Sequence, residues 1–265
     1  MSMISIADLL VLLVEPSRTQ QRLIQQQMEA VGIRNIDILD DAASALQLVQ
    51  HSPPDVVVSA MYLPDMTGAE LVAALRADPA SQDLPFLLIS SETRPRMLEP
   101  LRQAGVIGIL PKPFELSHLR DALLAAVDLL DPDSMRLEET AMQPEDLQVL
   151  IVDDSRTSRR YIRRVLENMG VERFTEAENG REGVAAMQDD SFDLIVTDYN
   201  MPEMDGAAFV RYVREESEQP AVPILMVTSV SDSSRLAQVE QAGVSAIFDK
   251  PFEPRNILDL LNRVL

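Results

Sequence analysis

Short, almost wholly apolar runs alternate along this chain with stretches whose apolar residues recur every three or four positions. In the C-terminal half the strand candidates cover residues 149–152, 173–177, 194–197, 224–227 and 246–248, and the first, third and fourth are nearly all apolar. The first, third and fourth lack period-two alternation, which predicts strands buried on both faces of a parallel sheet. Between the runs lie helical stripes. Tyr161, Ile162, Val165, Leu166 and Met169 form one, closed by Gly170 as a C-terminal cap. A short helix is expected from Gly180 to near Gln188. A further helix after Gly206 is expected to bury Phe209, Val210 and Val213, and a last one to bury Ile257, Leu258, Leu261 and Val264. Strand and helix thus alternate five times, which implies right-handed crossovers and an α/β, doubly wound sheet. The expected form is the flavodoxin-like (βα)5 fold with strand order 2-1-3-4-5.

The N-terminal half repeats the same pattern. Residues 9–127 align with 147–265 at a constant offset of 138, without gaps, and about three in ten aligned residues are identical. The expected organisation is therefore a first domain over 1–130, a linker over 131–146 and a second domain over 147–265. The linker holds Asp131-Pro132-Asp133, a helix-prone stretch from 134 to 142, and Pro144. Its apolar residues Met135, Leu137 and Met142 either pack on a domain or extend the last helix of the first copy.

Composition narrows the function without naming it. A net charge of −20 leaves no basic surface for a polyanion, so nucleic acid is not an expected partner. The absence of cysteine removes disulfides and thiolate metal sites and fits a reducing cytoplasm. No run of about 18 apolar residues exists, so no membrane span is expected. The apolar stretch 3–14 is interrupted by Asp8 and reads as the approach to a buried first strand.

In an open α/β sheet, function sits at the carboxyl ends of the strands, where strand order reverses. There the second copy places Asp153 and Asp154 after its first strand, Asp198 after the third, Thr228 after the fourth and Lys250 after the fifth. Three carboxylates brought together repel. A hard divalent cation such as Mg2+ relieves the repulsion and leaves one carboxylate oxygen to attack an electrophilic phosphorus. Lys250 offers a positive charge and Thr228 a hydroxyl for the incoming phosphoryl oxygens.

These residues resemble the receiver domain of two-component response regulators, the family of the chemotaxis regulator CheY. The matching motifs are Val149-Leu-Ile-Val-Asp-Asp-Ser155, Asp193-Leu-Ile-Val-Thr-Asp-Tyr-Asn-Met-Pro-Glu-Met-Asp-Gly206, Val227-Thr-Ser229 and Phe248-Asp-Lys-Pro-Phe252. The resemblance implies that Asp198 is the phosphoacceptor, with a histidine kinase or histidine phosphotransfer protein as donor and Mg2+ as cofactor. It implies that Asp154 binds Mg2+ directly and Asp153 mostly through water, with Asp198 and the main-chain carbonyl of Asn200 completing the ligands. Thr228 and Lys250 would hold the phosphoryl group, and Phe248 would be an aromatic switch, although plain core packing also accounts for a Phe there. The Lys250-Pro251 bond is expected to be cis. Such a receiver supports its own phosphorylation and dephosphorylation and is not otherwise an enzyme. No DNA-binding or catalytic output domain is expected beyond the second copy. The output is therefore expected to be protein contact, with a separate target of unknown identity or between receivers, within one chain or in a homodimer.

The first copy keeps the family frame in Leu12-Leu-Val-Glu-Pro-Ser17, Leu63-Pro-Asp-Met-Thr-Gly68, Ser90-Ser91 and Lys112-Pro-Phe114, and departs from it at the pocket. Ala60 stands at the phosphoacceptor position, Pro16 at the direct metal ligand and Leu110 at the switch. Glu15 alone is a poor Mg2+ site, and Ser90 and Lys112 are left with structural roles. This half resembles a degenerate receiver.

Two other readings compete. An aspartate-nucleophile phosphatase of the haloacid dehalogenase type needs a second Asp two residues after the nucleophile, and that place holds Asn200. A phosphorylation-independent scaffold would leave the pocket idle. On the first helix of the second copy, Arg156, Arg159, Arg160, Arg163 and Arg164 form a basic stripe, either a solvated face or a docking surface for an acidic partner. His51 and His118 lack ligand-spaced companions and are expected at the surface.

Overall fold

The computed structural model describes residues 4–131, 135–137, 143–229 and 242–264, with the side chain of Val264 excepted. The chain divides into two compact units, Met1–Ser134 and Met135–Leu265. In the first unit the elements run β1 (Leu10–Val14), α1 (Arg18–Ala30), β2 (Asn35–Leu39), α2 (Ala42–His51), β3 (Val56–Ala60), α3 (Gly68–Ala77), β4 (Phe86–Ser90), α4 (Pro95–Gln103), β5 (Gly108–Pro111) and α5 (Leu116–Leu130). The second unit runs β6 (Gln148–Val152), α6 (Arg156–Asn168), β7 (Arg173–Ala177), α7 (Gly180–Asp189), β8 (Leu194–Thr197), α8 (Gly206–Glu215), β9 (Ile224–Thr228), β10 (Ala246–Asp249) and α9 (Pro254–Val264). Its fourth crossover, 230–241, lies outside the described residues.

Each sheet is parallel and five-stranded, ordered β2-β1-β3-β4-β5 in one unit and β7-β6-β8-β9-β10 in the other. This is the expected 2-1-3-4-5 order twice over. The central strands β3, β4, β8 and β9 are buried along their whole length, as their unbroken apolar runs require. The edge strands β2 and β7 are mixed in sequence and mostly half-exposed.

The same local devices recur in both copies. Ser17 and Ser155 cap α1 and α6, each hydroxyl accepting from the backbone N–H three residues on. Gly32 and Gly170 follow those helices with φ of 108° and 99°, a left-handed conformation that only glycine adopts without strain. Phe209, Val210 and Val213 are buried as expected, as are Ile257 and Leu261, while Leu258 is half-buried. The side chain of Val264 lies outside the described residues.

Between the units, α5 stops at Leu130 and does not extend into the linker. Met135 and Leu137 are buried, and the Leu137 N–H donates to the Met169 carbonyl at 3.1 Å. This part of the linker therefore packs on the second unit. Met142 lies outside the described residues.

Phe209 is fully buried, and its ring is so close to Gly183 that a Cβ there would lie 2.9 Å from it. Phe209→Ala leaves a cavity that the sheet cannot close. It is expected to destabilise the second unit by about 3–5 kcal/mol in denaturant titration. A loss under about 1 kcal/mol would contradict this packing.

Candidate functional site

Hydrogen bonds continue past the strand ends of the second unit and fix the acidic residues in space. The Asp153 N–H donates to the Ala177 carbonyl at 3.1 Å, the Asp198 N–H to the Val152 carbonyl at 2.8 Å and the Lys250 N–H to the Thr228 carbonyl at 2.8 Å. Backbone pairing thus sets the side chains of three strands at one edge. One carboxylate oxygen from each of Asp153, Asp154 and Asp198 lies within 4.8 Å of the others, and among the described residues no other acidic or histidine group gathers in this way.

The three carboxylates are held differently. Asp153 is fully buried and well supplied with donors. Its Oδ1 accepts from the Ser155 N–H at 2.9 Å, and its Oδ2 from the Ser158 hydroxyl at 2.6 Å and the Lys250 ammonium at 2.5 Å. Asp198 is 1% exposed. Its Oδ1 accepts from the Tyr199 N–H at 2.7 Å, whereas Oδ2 has no hydrogen bond and lies 3.5 Å from Lys250 Nζ. Asp154 reaches solvent. A buried carboxylate oxygen without a hydrogen-bond donor is costly, and an all-oxygen, anionic set of this kind suits a hard divalent cation.

Burial pushes the Asp198 carboxyl up to about 6. The Asp153 and Asp154 anions act in the same direction, against Lys250 and the Tyr199 N–H. Burial also raises the Asp154 carboxyl, with the Asp153 anion second.

The turn after β8 fits only glycine at Gly206, where a Cβ would sit 2.1 Å from the Asp198 carbonyl oxygen. Asp205 caps α8, accepting from the Ala208 N–H at 2.8 Å. Glu203, in the same loop, is the one non-glycine residue with positive φ (61°) among the described residues. Thr228 ends β9 and is fully buried; Phe248 on β10 is half-buried; Asn200 is exposed beside Asp198. The Lys250-Pro251 and Lys112-Pro113 bonds are both cis.

The arginine stripe divides. Arg159 is only 6% exposed and turns inward, donating to the Asp153 carbonyl at 2.7 Å and pairing with Glu176 and Glu178. Arg163 pairs with Glu167 and lies over the Phe174 ring, 5.0 Å from its centroid. Neither belongs to a uniform basic face. Arg156, Arg160 and Arg164 follow the other helical line, with Arg156 exposed. Sequence reasoning missed Ser158 and the inward role of Arg159. The signal available was a hydroxyl in the first turn of a helix that follows two acids. His51 and His118 are exposed, as expected.

The first unit has a different pocket at the same place. Glu15 is buried; its Oε1 accepts from the Ser17 N–H at 3.0 Å and its Oε2 from Lys112 Nζ at 3.0 Å. One anion and one cation satisfy each other. Beside them, Tyr62 donates to Glu92 at 2.6 Å, and Arg94 pairs with the same carboxylate at 2.5 Å. The Glu92 N–H in turn donates to the Ser90 hydroxyl at 3.0 Å. Leu110 is buried.

The model of the response regulator receiver domain matches the chain twice, over residues 11–124 and 149–262. The chain belongs to that family. It is 31% identical over 124 residues to the chemotaxis protein CheY-3 of Vibrio cholerae, covering 47% of this chain and 95% of that protein. It is 33% identical over 118 residues to CheY of Pseudomonas aeruginosa, covering 44% and 95%. Among solved structures, CheY4 of Vibrio cholerae aligns at 37% identity over 45% of this chain and 98% of its own, with TM-score 0.41. A two-component system response regulator/GGDEF domain protein aligns at 26% identity over 97% of this chain and 99% of its own, with TM-score 0.41. This protein thus carries two receiver domains in tandem. Among the described residues, no helix is long and apolar enough to cross a membrane.

A carboxyl raised from 3.8 to about 6 adds stability below its unfolded value, and that stability is lost as pH rises through its folded value. In metal-free protein near pH 7.5, Asp198→Asn removes a buried anion and is expected to stabilise the second unit by about 1–3 kcal/mol. The gain should shrink toward zero near pH 4. Denaturant titrations at the two pH values check this, and an equal gain at both contradicts it.

Proposed function

We propose that this chain is a phosphorelay response regulator whose second receiver accepts a phosphoryl group on Asp198, while the first receiver accepts none. The observation that carries the reading is the donor-poor Oδ2 of Asp198, buried beside two further carboxylates and one lysine. The donor set is all oxygen and strongly anionic, which suits a hard divalent cation. Asp153, Asp154, Asp198 and the main-chain carbonyl of Asn200 would hold Mg2+, which supplies positive charge against the repulsion between carboxylate and phosphoryl oxygens.

The protein's own residues account for the rest. As an anion, Asp198 attacks the phosphorus of a phosphohistidine on a histidine kinase or phosphotransfer protein. The new bond joins a carboxylate oxygen to phosphorus, and the bond from phosphorus to the imidazole nitrogen breaks. Lys250 and the Thr228 hydroxyl take the phosphoryl oxygens. Movement of Thr228 and of the half-buried Phe248 then changes the surface around β10, which a protein target reads. The similarity to chemotaxis CheY proteins supports a target of protein rather than nucleic acid, as does the net charge of −20.

The first receiver is read as a scaffold or built-in partner that does not switch. The Glu15–Lys112 pair takes up the two charges that chemistry would need, and Ala60 has no nucleophile.

Acetyl phosphate with Mg2+ is expected to add one phosphoryl group by intact mass, and Asp198→Asn to add none. Two groups on the wild-type chain would refute the reading of the first receiver, and none would refute that of Asp198. Ala60→Asp in the Asp198→Asn background is expected to remain unphosphorylated, because Pro16 still lacks a ligand and Glu15 is already engaged. A phosphoryl group gained there would show that the missing aspartate alone silences the first pocket.

A further inference from the structure

Ser158 stands in the first turn of α6, five residues after Asp153, and is 3% exposed. Its hydroxyl and the Lys250 ammonium share one acceptor, Asp153 Oδ2, at 2.6 and 2.5 Å. Asp153 is 0% exposed, so its Oδ2 depends on the donors packed directly against it. Lys250 also lies 3.5 Å from Asp198 Oδ2, so it stands between two carboxylates. The first receiver has Gln20 at the corresponding position. There the buried carboxylate takes only the Ser17 N–H and Lys112, and no hydroxyl shares the lysine's acceptor.

A phosphoryl group on Asp198 gives Lys250 a stronger attraction than Asp153 does. For the lysine to move, Asp153 Oδ2 must not be left buried without a donor, since such a group is penalised far more than an ordinary hydrogen bond is rewarded. We propose that Ser158 is a positioning residue for phosphoryl transfer: its hydroxyl keeps Asp153 Oδ2 hydrogen-bonded while Lys250 shifts to the phosphoryl group. The proposal rests on the reading of Asp198 as phosphoacceptor. Ser158 neither gains nor loses a proton, and the transfer itself stays between the donor and Asp198.

The test compares the full chain with Ser158→Ala and Ser158→Thr. Three quantities are measured: the rate of phosphoryl incorporation from acetyl phosphate at saturating Mg2+, Mg2+ affinity without phosphodonor by calorimetry, and thermal stability. Ser158→Ala is expected to slow incorporation on the order of tenfold. Mg2+ affinity should stay within about twofold, because without a phosphoryl group Lys250 remains on Asp153. Ser158→Thr, which restores the hydroxyl, is expected to recover most of the lost rate. Ser158→Cys, with a weak thiol donor, should fall between the two, and it replaces the alanine variant if that one does not fold.

Incorporation by Ser158→Ala at the wild-type rate overturns the role of Ser158 and leaves Asp198 standing. So does a rate lost in step with Mg2+ affinity, which marks a structural defect in the metal site. Wild-type protein that takes up no phosphoryl group overturns the reading of Asp198, and this proposal with it.

Discussion

The second receiver is organised around like charges that its own sheet forces together. Backbone ladders pin Asp153 and Asp198 to the ends of adjacent strands, and Asp154 follows in sequence. Two unit charges about 4 Å apart interact by roughly 4 kcal/mol near a protein surface, and more when buried. The polypeptide cannot relax this repulsion without giving up sheet hydrogen bonds or the packing of α6 and α8. It relieves the strain unevenly. Asp153 receives three donors and is settled; Asp198 receives one backbone N–H and a distant lysine. The uneven distribution of donors leaves Asp153 fully hydrogen-bonded and one oxygen of Asp198 without a hydrogen bond.

The first receiver shows the same backbone without that constraint. Glu15 is one methylene longer than Asp153 and meets Lys112 directly. With Ala60 in place of a third strand-end acid, no repulsion remains for a metal to relieve. Tyr62, Glu92 and Arg94 then bind the loop after β3 to the loop after β4. In the second receiver these loops carry Asn200 and Ser229, and Asn200 is exposed.

Much of this was legible along the chain because the signals were local. Unbroken apolar runs marked the buried strands to within a residue or two: the fourth strand of the second copy reached Thr228 rather than Val227, and the fifth Asp249 rather than Phe248. Gly170 marked a helix end, for a reason that backbone geometry confirms. The five arginines of α6 were less legible. Residues 159 and 163 are one turn apart and both pair with Glu176 of β7, yet spacing alone did not distinguish an inward line from an outward one. The fate of Met135 and Leu137 was equally closed to periodicity, since both options offered apolar surface to cover.

The sequence alone determined the duplication, the strand order, the acids of the second copy and their loss from the first, because these depend on residue type and on short-range periodicity. The tertiary structure decided how the donors are shared. That Ser158 and Lys250 meet on one oxygen of Asp153, that Arg159 supports the same turn from behind, and that Asp198 Oδ2 is left without a donor are facts about side chains from segments 97 and 45 residues apart, converging in a buried space. Which donor reaches which acceptor there depends on packing distances of a few tenths of an ångström, and no pattern of residue types along the chain encodes them.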